Sequence, residues 1–251
     1  MIDTVIFDFD GTIIDSEWVE SVAWLDLYTS MGYPFDADGF AASVGDSAMA
    51  RHPARRLAAT LGRPGREEEL FVRWQGRVAD LINEEPLRPG IQSWIGDAQQ
   101  RGLRLGIASS SPRDWVLPHL HRLGIEKSFS AIACGDEVIA RKPAPDVYFL
   151  ALRRLGSSPQ RTLAVEDSVS GVNAAAASGC HVVMVPNRLT RNHEKPRGVR
   201  GVDMATTPLL ATLEHLEADH SGQGAFEAPS LRWLNRGNDR VNSSERGDVI
   251  A

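Results

Sequence analysis

Val5-Ile6-Phe7-Asp8-Phe9-Asp10-Gly11-Thr12 runs an apolar segment straight into two carboxylates. Val5, Ile6 and Phe7 have the continuous apolar character of a strand buried on both faces of a parallel sheet. Asp8 and Asp10 then fall at the strand's C-terminal end, where open α/β sheets place their ligand crevice. Gly11 lets the backbone turn there without a Cβ penalty. Two acids leaning into one small volume repel by roughly 4 kcal/mol at a separation of ~4 Å and an effective dielectric of about 20. A cation or a proton has to offset that. The alternative is that either acid is only a turn residue or the N-cap of the following helix.

The rest of the chain sets that strand in an alternating pattern. Between 16 and 86 the strand signal disappears and helical periodicity takes over. Trp18, Val22 and Leu25 fall on one helical face with Gly32 as a C-terminal stop, and Leu70, Trp74, Val78 and Leu81 form a second stripe. Aromatic and aliphatic residues at that spacing are core, so the segment reads as a four- to five-helix insert hinged near Ser16 and at Leu87-Arg88-Pro89-Gly90. After it, helices are expected over 91–101, 113–122, 144–155 and 171–178. Strands are expected over 104–109, 130–134, 162–166 and 181–185. Such alternation argues an α/β fold with a Rossmann-like parallel sheet and right-handed crossovers. The catalytic core is then 1–15 with 87–218, and 219–251, rich in Gly, Ser, Asn and Asp, reads as a poorly ordered tail with a docking patch at Leu231, Trp233 and Leu234.

Composition excludes several roles. A hydrophobic share of 42% and a charged share of 24% are those of a soluble globular protein. The net charge of −6 argues against nucleic-acid binding, and Arg51, Arg55 and Arg56 read first as a solvated helix face. No apolar run approaches a membrane span and no export signal is visible, so a cytoplasmic location is expected. Cys134 and Cys180 are too far apart for a metal motif and read as reduced, buried thiols. No feature sets the oligomeric state. Neither a Gly-x-x-x-x-Gly-Lys-Ser/Thr loop nor a Gly-x-Gly-x-x-Gly turn follows a strand, so nucleotide sites of those kinds are not expected.

Three further segments accompany the paired acids. Leu105-Gly106-Ile107-Ala108-Ser109 is a strand ending in a hydroxyl. Arg141-Lys142-Pro143-Ala144-Pro145-Asp146 sets a lysine at the mouth of a helix. Leu163-Ala164-Val165-Glu166-Asp167-Ser168 is a strand ending in two acids, with Gly171 opening the next helix. With these the chain resembles the haloacid dehalogenase superfamily of phosphoryl-transfer enzymes in all four of its motifs, over roughly 3–187. The branch it most resembles holds beta-phosphoglucomutase and the small sugar-phosphate phosphatases. In that family an all-helical cap occupies the interval 16–86.

The resemblance implies a role for each motif residue. Asp8 is the expected nucleophile, forming an aspartyl-phosphate, with Asp10 as general acid and base. Family members that cleave halides or phosphonates lack the second acid, so Asp10 favours phosphate esters. Asp167, the Asp8 side chain and the Asp10 backbone carbonyl form an oxygen set for Mg2+, which Glu166 joins either directly or through a water. Ser109, aided by the backbone N–H groups of Ser110 and Ser111, is expected to bind a phosphoryl oxygen, although a serine at such a turn also serves as a plain N-cap. Lys142 would supply fixed positive charge, and Thr12 would orient the nucleophile loop.

Two departures bear on the substrate. Glu20 stands where beta-phosphoglucomutase has a cap histidine, and Val44-Gly45-Asp46-Ser47-Ala48 has alanine where the mutase has a phosphate-gripping arginine. Arg51 lies one turn later. A phosphatase acting on a small phosphate ester, such as a sugar or polyol phosphate, is therefore expected ahead of a mutase, and an inactive binding module stands third. Glu20, Asp46, Ser47 and Arg51 are the candidate substrate contacts in the cap.

Overall fold

The computed structural model describes residues 1–44 and 52–221. Asp46, Ser47, Arg51 and the proposed patch at Leu231, Trp233 and Leu234 lie outside the described residues. Six parallel strands form one sheet: β1 (Thr4–Phe7), β2 (Arg104–Ala108), β3 (Ala131–Ala133), β4 (Thr162–Glu166), β5 (His181–Met184) and β6 (Arg200–Gly201). Their order is β3-β2-β1-β4-β5-β6. β1 is therefore the switch point, pairing with β2 on one side and β4 on the other, with Phe7 opposite both Ile107 and Val165. An open parallel sheet leaves its crevice at that position, beyond the strand's carboxyl end.

Strand periodicity splits the core into two layers. Val5, Phe7, Leu105, Ile107, Leu163 and Val165 face one cluster, while Ile6, Ala108 and Ala164 face the other. Each fully buried aliphatic or Phe side chain contributes about 1.5–3 kcal/mol relative to exposure. The covering helices are α5 (Ile91–Gln100), α6 (Arg113–Arg122), α7 (Asp146–Leu155), α8 (Val169–Ala177) and α9 (Leu209–Ser221). Gly106 permits close approach of α7, since a Cβ there would stand 2.8 Å from Leu155. α9 docks Leu209 and Leu213 onto the core, and the Trp94 indole donates to the Thr207 carbonyl before it at 2.8 Å. The compositional shift beyond Leu216 thus does not end the helix, which continues to Ser221. No helix of the described residues is long and apolar enough to cross a membrane.

Between β1 and α5 lie α1 (Ser16–Ser30), α2 (Ala37–Ala42), α3 (His52–Thr60) and α4 (Glu67–Ile82). α1 and α3 pack on α4, and α2 packs on α1. The chain enters and leaves this insert side by side: Ile14 bridges Leu87, and the Arg88 N–H donates to the Ile13 carbonyl at 2.9 Å. α1 turns a different face inward from the one its large residues suggest. Val19, Ala23, Trp24, Leu27 and Tyr28 are buried, Leu25 is exposed, and Trp18 lies half-buried under the Arg188 guanidinium. Small residues (Ser21, Ala23) fill part of the buried stripe, so the apolar pattern of the sequence misplaces it by one position. On α4 the stripe ends at Ile82 rather than Leu81 for the same helical geometry.

Trp24 centres the insert, stacked on Trp74 at 5.0 Å with 12° between the rings. Trp24→Ala should lower the unfolding free energy by about 3–5 kcal/mol in guanidinium titration. A loss below about 1 kcal/mol would contradict this packing.

Candidate active site

The turn after β1 is fixed by its own backbone. Asp8 N–H donates to the Val165 carbonyl at 2.9 Å, and the N–H groups of Thr12 and Ile13 fold back on the Phe9 carbonyl at 3.3 and 2.8 Å. Gly11 sits at φ +73°, and a Cβ there would lie 2.4–2.7 Å from Asp167, Glu17 and Asn187. Only glycine combines that backbone with that crowding.

Lys142 arrives from the loop before α7 and joins two carboxylates. Its Nζ is 2.5 Å from Asp8 Oδ1 and 2.6 Å from Glu166 Oε1, and all three side chains are at most 9% exposed. Burial alone would depress the lysine, but Asp8 and Glu166 outweigh it and hold its pKa above the ordinary value. Burial also drives Asp8 upward, against Lys142 and with the help of Glu166, Asp167 and Asp10. The Tyr148 hydroxyl donates to Glu166 Oε1 at 2.5 Å, while Glu166 Oε2 has no hydrogen-bond partner. A Cβ at Gly171 would lie 1.8 Å from that oxygen. Gly171 thus makes room for Glu166 as well as opening α8.

Asp10 is held by neutral donors. Ser16 Oγ and Trp115 Nε1 donate to its Oδ1 at 2.8 and 2.9 Å, and Ser111 Oγ donates to its Oδ2 at 2.6 Å. Ser109 Oγ stands 3.5 Å from the same Oδ2 and accepts the Ser111 N–H at 3.0 Å. These donors come from α1, from α6 and from the turn after β2, so three elements fix one carboxylate.

Asp167 is paired with Thr12, which the sequence singles out, and with Asn187, which it does not. Thr12 Oγ1 donates to its Oδ1 at 3.3 Å, and Asn187 Nδ2 donates to its Oδ2 at 2.8 Å. Asn187 also donates to Glu17 Oε2 at 3.1 Å, while its Oδ1 accepts the N–H groups of Leu189 and Thr190 at 2.8 and 2.9 Å. Both ends of the amide are used, which fixes its orientation. Arg88, at the exit from the insert, donates to the carbonyls of Gly11, Val185 and Pro186 and pins the turn after β1 to the segment after β5. Burial and then Glu166 push Asp167 up to about 7. Burial and then Asp10 push Glu20 up to about 8, and Glu17 is raised by burial and by Asp167.

Six carboxylates thus converge: Asp8, Asp10, Glu17, Glu20, Glu166 and Asp167. Oxygens of Asp8, Glu166 and Asp167 lie within 4.8 Å of one another. Asp8, Glu17, Glu20 and Asp167 are all raised, first by burial and then by neighbouring carboxylates. The donor set is all oxygen, so it fits a hard divalent cation. The two cysteines take no part: both are free and buried, with thiols pushed up to about 12 and about 11.

A cavity of about 560 Å³ opens in front of this cluster, between the helical insert and the carboxyl ends of the central strands. Asp8, Asp10, Glu20, Ser110, Lys142 and Asp167 all line it. Thr12, Ser109 and Glu166 are fully buried behind it, with Thr12 spent on Asp167. Glu17 and Trp115 line it too. Glu17 stood in plain view one residue after Ser16. Trp115 and Asn187 carry no local pattern.

A parallel sheet whose switch point ends in clustered acids and a clamped lysine defines an α/β enzyme. The sequence model of the haloacid dehalogenase-like hydrolases matches residues 2–179, and the chain belongs to that family. "Putative phosphatase YhcW" of Bacillus subtilis (strain 168) is 35% identical over 221 residues, 88% of this chain and 100% of that one. The phosphoglycolate phosphatase of Escherichia coli (strain K12) is 31% identical over 198 residues, 70% of this chain and 78% of that one. The crystal structure of CbbY from Rhodobacter sphaeroides in complex with phosphate superposes with a TM-score of 0.63 at 30% identity, covering 82% and 96% of the two chains. A mutant of that protein was solved with xylulose 1,5-bisphosphate; its structure is 29% identical, with the same coverage and TM-score.

The raised pKa of Glu20 has a sign that can be measured. The folded state holds its proton up to about pH 8, the unfolded chain only to about 4.5, so the native state binds more protons in between. Stability from this group is therefore present at low pH and falls as pH rises through that window. Glu20→Gln should be stabilised relative to the native protein increasingly from about pH 5 to about pH 9 in thermal unfolding. A difference independent of pH would contradict the assignment.

Proposed function

We propose that this hydrolase is a Mg2+-dependent phosphatase that cleaves small phosphate esters, sugar or polyol phosphates among them, through an aspartyl-phosphate on Asp8. One observation carries the reading. Asp8 and Asp10 leave the same strand into one cavity, the first clamped by Lys142 and the second by three neutral donors. Two acids in such different surroundings suit a nucleophile and a proton carrier. The phosphatase names of the relatives and the phosphate bound in the CbbY structure support the same chemistry.

An Asp8 oxygen attacks phosphorus, the ester P–O bond breaks, and Asp10 gives its proton to the leaving alcohol oxygen. Asp10 then takes a proton from water, whose oxygen attacks the acyl phosphate, releasing phosphate and restoring Asp8. Lys142 supplies positive charge at the nucleophile and the phosphoryl oxygens throughout. Ser109 and Ser110 lie where the following turn presents hydroxyl and N–H donors, and Thr12 keeps Asp167 in place. The Asp8 and Asp167 side chains and the Asp10 backbone carbonyl would hold the metal, with Glu166 closing the cluster from beneath. Bound there, Mg2+ neutralises carboxylate and phosphoryl charge. The helices 16–86 act as the cap that excludes water. The free buried thiols are in keeping with a cytoplasmic location. Glu20, where the mutase has histidine, favours transfer to water over transfer to a second sugar.

Phosphate release from a panel of phosphorylated metabolites, with and without Mg2+, tests this. Activity should require the metal and fall about a thousandfold or more in both Asp8→Asn and Asp10→Asn, with folding retained by circular dichroism. Turnover in Asp8→Asn within about tenfold of the native protein would sink the reading.

A further inference from the structure

An aromatic column on α6 reaches Asp10. Trp115 and His119 stand one turn apart on that helix, their ring centroids 4.5 Å apart with 72° between the planes. His119 in turn stacks on Phe9 at 6.4 Å, and both of those rings are buried. Phe9 is the residue between the two motif acids Asp8 and Asp10. The column leaves the Trp115 indole at the cavity wall, with its Nε1 2.9 Å from Asp10 Oδ1. Edge-to-face ring contacts of this kind hold a ring in one orientation.

The two oxygens of Asp10 differ in what surrounds them. Oδ1 accepts from Trp115 and from Ser16, a residue buried at the start of α1. Oδ2 accepts from Ser111 at 2.6 Å and stands 3.5 Å from the Ser109 hydroxyl. A serine hydroxyl can donate or accept, whereas an indole N–H only donates. When Asp10 takes up a proton, Ser16, Ser109 and Ser111 can each turn round to accept it. Trp115 cannot. A proton on Oδ1 would therefore have to point at Ser16, into the buried hinge of the insert. A proton on Oδ2 lies on the side of Ser109, the hydroxyl assigned to the phosphoryl oxygens.

We infer that Trp115 is a positioning residue that assigns the transferred proton to Oδ2 of Asp10. The inference rests on the phosphatase reading above and deepens it. In the first transfer the ester oxygen keeps the P–O electron pair and takes the Oδ2 proton, while Oδ2 keeps the O–H pair. In the second, Oδ2 takes a proton from the water whose oxygen attacks the acyl phosphate. Oδ1 goes on accepting the indole N–H through both, so the carboxyl does not rotate between them. Without that N–H the carboxyl is free to turn, and the step that needs a placed proton slows.

The test compares kcat/KM for phosphate release by the full-length Mg2+-loaded protein and by Trp115→Phe, on two esters of similar size. Benzyl phosphate releases an alkoxide and needs the proton, whereas para-nitrophenyl phosphate releases a stable phenolate and hardly does. The ratio kcat/KM reads the barrier from free enzyme and ester, so it isolates the first transfer. Trp115→Phe, folded by circular dichroism, should lose about tenfold or more on benzyl phosphate and less than about threefold on para-nitrophenyl phosphate. If that variant does not fold, benzothienylalanine in place of Trp115, the same two-ring skeleton with sulfur for N–H, carries the same expectation. An equal loss on both esters makes Trp115 a wall residue only, and no loss on either removes it from the machinery. Both results overturn the inference and leave the phosphatase reading intact. A native protein active on the nitrophenyl ester alone removes Asp10 as the acid, and this inference with it, while Asp8 stands as nucleophile. Release from neither ester, with the native protein indistinguishable from Asp8→Asn, overturns the phosphatase reading and this inference together.

Discussion

Lys142, wedged between Asp8 and Glu166, is the contact on which the rest of the site depends. It ties the ends of the neighbouring strands β1 and β4 to the loop before α7, with all three charged side chains at most 9% exposed. A buried ion pair of this kind is expensive to assemble and more expensive to break, because either partner left alone is an uncompensated charge. Neighbouring choices follow from it. Tyr148 caps the second carboxylate, Gly171 leaves it room, and Gly11 lets the turn after Asp8 close over Asp167. The sheet order adds the remaining condition, since only a strand with neighbours of both crossover directions opens a crevice at its end.

One ammonium cannot balance the carboxylates gathered there. The protein limits the imbalance by surrounding Asp10 with neutral donors, Ser16, Ser111 and Trp115, in place of another charge. Asn187 does the same for Asp167 and Glu17. Arg88 contributes from a distance, its guanidinium spent on three backbone carbonyls. What is left uncompensated is a set of oxygens at metal-ligating separation, with Asp167 and Glu20 holding protons more tightly than ordinary acids. On the proposed reading, the same shortage of charge would favour a divalent cation and a phosphate dianion together.

Much of this was legible in the sequence because it is local. A strand followed by its functional side chain occupies a handful of consecutive residues, so Asp8, Asp10, Ser109, Lys142, Glu166 and Asp167 could all be picked out. The alternating core was readable for the same reason, and 113–122 and 162–166 were read with the ends they have. Contacts made by tertiary closure were not. The Trp115–Asp10 bond spans 105 residues and the Asn187–Glu17 bond 170, and neither residue lies in a periodic pattern. β6 is two residues long and exposed, too short to show alternation. The inward face of α1 was misread because serine and alanine fill part of it, and burial of small side chains leaves no hydrophobic signature.

If Mg2+ supplies the positive charge that the acid cluster lacks, thermal unfolding against Mg2+ at about pH 8 without substrate will register it. Mg2+ should raise the unfolding midpoint of the native protein in a saturable way, and Asp167→Asn should abolish the rise. Without metal, that variant should unfold at a higher temperature than the native protein, since one buried carboxylate has been removed. A native midpoint indifferent to Mg2+, or an equal rise in Asp167→Asn, would contradict it.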